Sequence, residues 1–588
     1  LLSGDPGVRA ATARAAAAVQ DTLRGLDSWL DASATHLGPE AVERLQGPLR
    51  RVLDLVWTAT EDRIRASERV AAMAGLPRGA QPLTLNASVS YWALDTALDA
   101  IDRLEVRGRD SAGVHLWIAL EESDRDRVPE TMLQRRDPLF RSGSASPVPS
   151  GLSVVYKTAS VVGRLGDNVA SIRAQISDDA DLHAVLRLPS ARLAVLGHTR
   201  WASVGRVSAP NAHPLNSDVP AGPDGVAPTR YAVGVLNGDI DNHLALKQLH
   251  HVPDLPDITT DAKLIPVLAG RRMARGATAE AALAACMSEF EGSMAIGVQT
   301  DADPDRVLLG LKSGGQCIFV GLSDFGYVVA SEIFGLVARA DLYVALEAVA
   351  GEDGLREGLV VTVDRSGRGT LAGVRRVDAA GGEHDLPADQ VRTTELTTRD
   401  VAQGDYQRYL EKELAEAPAS FRKTLRGRIG DHNGQYVVTL PPTAFPQEQW
   451  ELFKDGRIRQ VIVIGQGTAA VAAQGVAHLT STLLDDAITV RAMPATELSA
   501  SRLPHDMSDT CIVAISQSGT TTDTNRTINL ARARGATVLA IVNRRQSDLV
   551  LKSHGVLYTS DGRDIEMAVA STKAFYAQIA AGMLLGLA

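Results

Sequence analysis

The chain has 588 residues, 45% of them hydrophobic and only 4% aromatic, so its cores must be aliphatic; that length holds about three to five domains. A formal charge of −10 argues against a dominantly nucleic-acid-binding surface. No apolar run is long enough to span a bilayer, not even Ala577 to Ala588, and no basic-then-apolar leader precedes the first elements. Cys286, Cys317 and Cys511 are too few and too scattered for a disulfide framework. The expectation is a cytoplasmic protein without nucleic-acid or membrane partners.

Residues 1–104 read as helical. Leu45, Leu49, Val52 and Val56 recur at three- and four-residue steps, with an interruption expected at Gly47-Pro48. Trp92, Leu94, Leu98, Ile101 and Leu104 form a second apolar face. No polar cluster in the first 90 residues suggests chemistry, so packing or assembly is the reading there. Short strands follow at Val114–Leu120, Leu193–Gly197, Tyr231–Leu236, Met294–Thr300, Cys317–Gly321 and Tyr327–Ser331. Helices are expected at Leu244–Leu249 and Thr278–Phe290, and loops at Arg141–Gly151 and Asp218–Arg230. Further strands are expected at Gly358–Val363, Gly367–Val374 and Val391–Thr394, then a polar helix from Asp405 to about Leu425. From Gln460 the pattern becomes an α/β unit with a parallel sheet: strands Gln460–Ile464, Ile488–Ala492, Thr510–Ile515 and Thr537–Val542, with helices Ala469–Leu483, Asp523–Arg534 and one from Lys573.

Two constellations carry chemistry. In the first, a strand runs into Gly197-His198-Thr199-Arg200-Trp201, and Arg200 offers a planar fork for a carboxylate. A second strand ends in Asn237-Gly238, where a side-chain amide and a closely approachable backbone N–H suit an oxyanion. Asp261 complements an ammonium group. By spacing alone Asn-Gly also reads as an ordinary turn. In the second, the strand Thr510–Ile515 runs into Ser516-Gln517-Ser518-Gly519-Thr520-Thr521-Thr522 and a helix. The hydroxyls of Ser516, Ser518 and Thr521 and the free N–H groups of a helix start suit a phosphate monoester. A Ser/Thr-rich helix cap is the alternative. Gly465-Gln466-Gly467-Thr468-Ala469-Ala470 is a weaker, nucleotide-like turn.

Taken in order, Arg107-Gly108-Arg109-Asp110-Ser111-Ala112-Gly113, His198-Thr199-Arg200-Trp201-Ala202, Asn211-Ala212-His213-Pro214, Asn237-Gly238 and Thr260-Asp261 resemble the class II (N-terminal-nucleophile) glutaminase domain of the glutamine–fructose-6-phosphate aminotransferases. Ser516–Thr524 with Glu566, Val569, Ala570, Ser571, Thr572 and Lys573 resembles the first sugar isomerase (SIS) domain of the same family. Tyr406-Gln407-Arg408-Tyr409 and Glu411-Lys412-Glu413 resemble its linking helix. The resemblance implies a multidomain α/β protein. Its parts would be a helical insertion or assembly segment at 1–104, an αββα glutaminase domain at 105–395, a helix and linker at 396–450, and a parallel-sheet SIS domain at 451–588.

It also implies that Arg200, Trp201 and Asp261 surround glutamine, with Asn237 and Gly238 as the oxyanion hole. Thr468, Ser516, Gln517, Ser518, Thr521 and Val569 would line a hexose-phosphate pocket. The implied reaction hydrolyses glutamine through a thioester at an N-terminal cysteine and passes ammonia to fructose 6-phosphate, giving glucosamine 6-phosphate, without metal or cofactor and in a homodimer or higher oligomer. None of the three cysteines matches that nucleophile, so a cysteine upstream of Leu1 and a second SIS domain after Ala588 are expected in a longer chain. Ser203-Val204, Gln466 and Thr520 stand where the family more often has Thr-His, Cys and Glu. Gln466 and Thr520 leave open a related SIS aminotransferase or deglycase for another phosphosugar, and the unmatched cysteine leaves open a sugar-phosphate-binding regulator without catalysis.

Overall fold

The computed structural model describes residues 6–76, 83–159, 164–219, 229–312, 316–347, 358–378, 381–484, 488–501, 503–545, 547–568 and 571–588. Most of the loop expected at Asp218–Arg230 lies outside them. The chain divides into two units: one built mainly on Glu61–Thr398, the other on Ala10–Thr60 with Arg399–Ala588. The helical segment expected over 1–104 is therefore shared between the two, and the boundary further on falls between Thr398 and Arg399.

The first unit is a layered αββα body. A four-stranded antiparallel sheet runs in the order Ala145–Val148, Gly151–Thr158, Ser111–Ala119, Arg192–Arg200. Alternation along its strands sends Val114, Leu116, Ile118, Leu152, Val154 and Tyr156 to one face, where the Leu85–Leu104 and Asp167–Ser177 helices cover them. The opposite face, with Trp117, Val155, Ala194 and Leu196, packs on Val233 of a seven-stranded sheet. Helices Leu264–Ala274 and Ala279–Glu289 cover that sheet's far side. A third sheet of four strands packs Ile318, Val320 and Val344 against Leu309, Leu311 and Val361.

Three local expectations change. The segment Arg141–Gly151 holds a strand, Ala145–Val148, paired with Gly151–Thr158. Pro147 is tolerated because this is the sheet's edge. In Gly367–Val374 the strand starts only at Val374, after two 3-10 turns. There Gly367 sits so close to Gly373 that a Cβ would lie 2.3 Å from its Cα. Between 425 and 447 the connector contains a hairpin, Ile429–His432 with Gln435–Val438, turned by Asn433 and Gly434 at φ 57 and 83.

The second unit is a five-stranded parallel sheet ordered Thr489–Pro494, Gln460–Gly465, Thr510–Ser516, Thr537–Val542, Gly555–Tyr558, with apolar clusters on both faces. The N-terminal helix Pro6–Trp57 lies with it from Ala10 onward. Its break is at Gly38 (φ 73), followed by Pro39, and not at Gly47-Pro48. Glycine accepts the left-handed turn that ends one helix, and proline suits the first position of the next. Leu23, Leu30, Ala34 and Val42 are buried, whereas Leu45 and Val52 of the expected apolar face are exposed. Charge orients this stretch instead, through Glu43, Arg50 and Asp54. Among the described residues no helix is long and apolar enough to cross a membrane.

Candidate functional site

The first site is assembled where strands of the two facing sheets end. Ser111 pairs with Arg200 and Gly113 with His198, so these residues share the face between the sheets. The glycines here are steric requirements. A Cβ on Gly108 would lie 2.5 Å from Trp201 N, and one on Gly113 2.3 Å from the His213 carbonyl. Gly238 has φ 112, and a Cβ there would meet Ser293 O at 2.0 Å.

Arg200 is 4% exposed. Its guanidinium donates to the carbonyls of Val204 and of Arg206, the latter at 3.3 Å. Burial lowers its pKa, opposed by the nearby charges of Asp261 and Asp110. Asp261 is also buried and accepts from Ile240 N–H at 2.8 Å, Ala262 N–H at 3.0 Å and the Thr260 hydroxyl at 3.3 Å. Burial raises its pKa, with Asp239 adding to the effect. Asn237 and Gly238 finish the Ala232–Gly238 strand, half-buried, two residues before the N–H that holds Asp261. Ser203 reaches Asp239 at 2.6 Å. The structure thus brings Arg200, Asn237, Gly238 and Asp261 into one neighbourhood. Trp201 is 73% exposed, at the surface.

The motifs contained two further residues to which spacing gave no role. The rings of His198 and His213 lie 4.5 Å apart. His213 accepts from Leu236 N–H through Nδ1 at 3.4 Å and meets Thr260 Oγ1 through Nε2 at 3.4 Å. Asn211 Oδ1 accepts from the N–H groups of Thr259 and Thr260 at 2.7 and 3.1 Å. His213 and Asn211 therefore tie the strand carrying Asn237 to the turn carrying Asp261. Burial, helped by Arg200, pushes His198 down to about 4. His213 is pushed well down by burial and by His198. Cys286 and Cys511 are fully buried and Cys317 is half-buried, and burial pushes each thiol up to about 12. None offers a ready thiolate.

In the second unit, Gln460–Gly465 connects to Thr489–Pro494 on one side, and its other neighbour is Thr510–Ser516. The sheet order reverses there, and the strand ends at such a switch point are where ligands of these sheets bind. Ser516 Oγ accepts from Gly519 N–H at 3.0 Å and lies 3.4 Å from Thr521 Oγ1. Ser518 Oγ accepts from Thr520 N–H at 3.2 Å. Gly519 has φ 67, and a Cβ would collide with Ser547 Oγ at 2.0 Å. Thr521 caps the Thr522–Arg532 helix without a side-chain capping bond. The Thr521 side chain therefore does not make the simple cap of the alternative reading.

Thr468 opens the Thr468–Leu483 helix behind Gly467, and the buried Oε1 of Gln466 has no partner among the described residues. Gln517 donates to the Asp564 carbonyl at 3.4 Å. Val569 lies outside the described residues. A carboxylate that spacing did not single out, Glu413, accepts from Met567 N–H at 2.6 Å, Ala568 N–H at 3.0 Å and Thr572 Oγ1 at 3.0 Å. Lys573 is held by Glu416 at 2.6 Å.

Residues 457–588 match the SIS domain family. The chain is 30% identical over 497 residues to a protein named glutamine–fructose-6-phosphate aminotransferase (isomerizing) from Symbiobacterium thermophilum, covering 84% of this chain and 66% of that one. Its counterpart from Mycolicibacterium smegmatis is 28% identical, over 84% of this chain and 67% of that one. A solved C-terminal domain of glucosamine-fructose-6-phosphate aminotransferase from Francisella tularensis is 24% identical over 32% of this chain and 48% of that one, at a TM-score of 0.27, and adds nothing to the sequence matches. The chain spans about two thirds of the length of the curated relatives it matches. With both motif sets in place and in order, the chain belongs to the glutamine–fructose-6-phosphate aminotransferase family.

Proposed function

We propose that this chain carries the glutamine-hydrolysing and sugar-phosphate-binding parts of a glutamine-dependent hexose-phosphate aminotransferase. Arg200 pairs with the glutamine α-carboxylate and Asp261 with its α-ammonium group. Asn237 Nδ2 and Gly238 N–H take the charge that builds on the amide oxygen during attack. The family's nucleophile is an N-terminal cysteine thiolate, which displaces ammonia as a thioester forms; water then releases glutamate and regenerates the thiol. Cys286, Cys317 and Cys511, their thiols held protonated by burial, play no part in that step. Ammonia goes to fructose 6-phosphate, whose phosphate rests on Ser516, Ser518, Thr521 and the following helix start, with Thr468, Gln517 and Val569 around the sugar. The observation that supports this most is the match to named aminotransferases over 84% of the chain. Cytoplasmic residence and assembly as a homodimer or larger oligomer belong to the same proposal.

The test supplies the complete native protein with glutamine labelled at the amide with ¹⁵N and with fructose 6-phosphate. Labelled glucosamine 6-phosphate is the expected product; its absence overturns the assignment. The unpartnered Gln466 Oε1 favours a second reading, a different phosphosugar that donates a hydrogen bond at that point. Competition among phosphosugars in a thermal-shift assay separates the two.

A further inference from the structure

We propose that Asp54 and Arg50 of the N-terminal helix are positioning residues of the sugar-phosphate site, acting through the Asp561–Glu566 segment. The inference rests on the phosphosugar reading of that site. Arg50 and Asp54 are one helical turn apart and so share a face. Arg50 Nη1 donates to the Asp561 carbonyl at 3.0 Å, an oxygen that Arg545 Nε also approaches at 3.2 Å. Asp54 takes Arg563 Nη1 at 2.5 Å and Arg399 Nε at 2.9 Å, while Arg563 also pairs with Asp400. The Arg563 side chain is 5% exposed, and those of Asp54 and Asp400 are 14% and 7%. Asp54 and Asp400 thus meet Arg399 and Arg563 in a largely dry place, where the Asp561 carboxylate also feels the charges of Lys423, Arg50, Arg563 and Arg399.

The next residue, Asp564, supplies the carbonyl that holds Gln517, and its carboxylate takes the Ser420 hydroxyl. Two residues on, Glu566 Oε1 accepts from Thr572 N–H at 2.7 Å and Ala574 N–H at 2.9 Å, tying Glu566 to the start of the Lys573–Leu587 helix. Glu413 grips both sides of that tie, at Met567, Ala568 and Thr572. The segment is therefore fixed on one side by the Tyr409–Leu425 helix and on the other by the N-terminal helix. Removing the Asp54 charge takes from Arg563 and Arg399 a carboxylate to which both donate, an imbalance that burial makes costly. The 561–566 backbone is the part free to shift in response. Its displacement would move Gln517 and Glu566, and leave the hydroxyl cradle of Ser516, Ser518 and Thr521 in place.

The test compares the full chain with its D54N, D54E and R50M variants. Dissociation constants are measured for fructose 6-phosphate and inorganic phosphate, with hydrogen exchange followed in peptides covering 559–574. The expected result is about tenfold weaker fructose 6-phosphate binding in D54N and about threefold in R50M. Phosphate affinity should stay within about threefold, D54E should recover most of the loss, and exchange at 559–574 should quicken in D54N. Unchanged fructose 6-phosphate binding in the variants overturns the inference, as does a parallel loss of both ligands. R50M decides the matter if D54N does not fold. A wild-type chain that binds no phosphosugar overturns the underlying reading instead.

Discussion

The two proposed binding regions recognise polar ligands by opposite means. In the first unit Arg200 and Asp261 are buried charges, set beside two histidine rings that burial keeps neutral. In the second, recognition falls to hydroxyls, backbone N–H groups and a helix start, while the buried charges lie behind the site, holding its walls. A buried charge resists substitution, because its loss leaves the remaining partners unsatisfied. A cradle of hydroxyls degrades in small, nearly additive steps.

The contrast fails if single substitutions weigh equally on both sides. Arg200→Lys and Asp261→Asn are each expected to weaken glutamine binding about 100-fold, because a point ammonium cannot reproduce the fork and an amide cannot balance an ammonium; calorimetric titration of the full chain reads this directly. Next in size is an acid effect that is larger in the first unit. His198, at about 4 in the folded chain, remains neutral there while the unfolded chain takes up a proton near 6.5. The stabilisation is complete above pH 6.5 and is lost as pH falls toward 4. About 2 kcal/mol is expected to be gone at pH 5. Hydrogen exchange at pH 7.5 and 5 should show a larger loss of protection in 192–216 than in 510–542, where His554 alone among the described residues is a histidine held down by burial, and His198→Gln should narrow the difference while His213 sustains the rest. Smaller again, Ser516→Ala, Ser518→Ala and Thr521→Ala should each weaken phosphosugar binding by about three- to tenfold, compounding in the triple variant. The least is Trp201→Ala: with its ring in water, unfolding should shift by no more than about 0.5 kcal/mol.

Much of this plan was legible because sterics and charge leave local marks. Gly108, Gly113, Gly238 and Gly519 stand where no Cβ fits, so the motifs around them could be found without coordinates. Strands with regular alternation, such as Met294–Thr300, were found at their bounds. What was not legible depends on partners far along the chain. His213 acts across the gap between two strand ends, and Glu413 acts on backbone 154 and 155 residues away. The N-terminal helix was read correctly only in part for the same reason. Its apolar spacing suggested one face from Val42 to Val56, of which Val42 is buried and Leu49 and Val56 half-buried, but Leu45 and Val52 are exposed, and Arg399 and Arg563, remote in sequence, hold Asp54. The expected absence of chemistry in the first 90 residues likewise said nothing about Asp54, a residue proposed to work through another.

The second unit is discontinuous: its helix at Ala10–Thr60 is separated from Arg399–Ala588 by the whole of the other unit. On a ribosome adding about 5–20 residues per second, that helix waits roughly 20–70 seconds for its partners to be made. Leu23, Leu30, Ala34 and Val42 have no second-unit surface to cover them in that interval. The first unit can close as soon as Thr398 has emerged; the second must capture its oldest segment last. Nascent chains halted just beyond Thr398 should therefore be cut by protease in the N-terminal helix, and protection should arrive only with the parallel sheet.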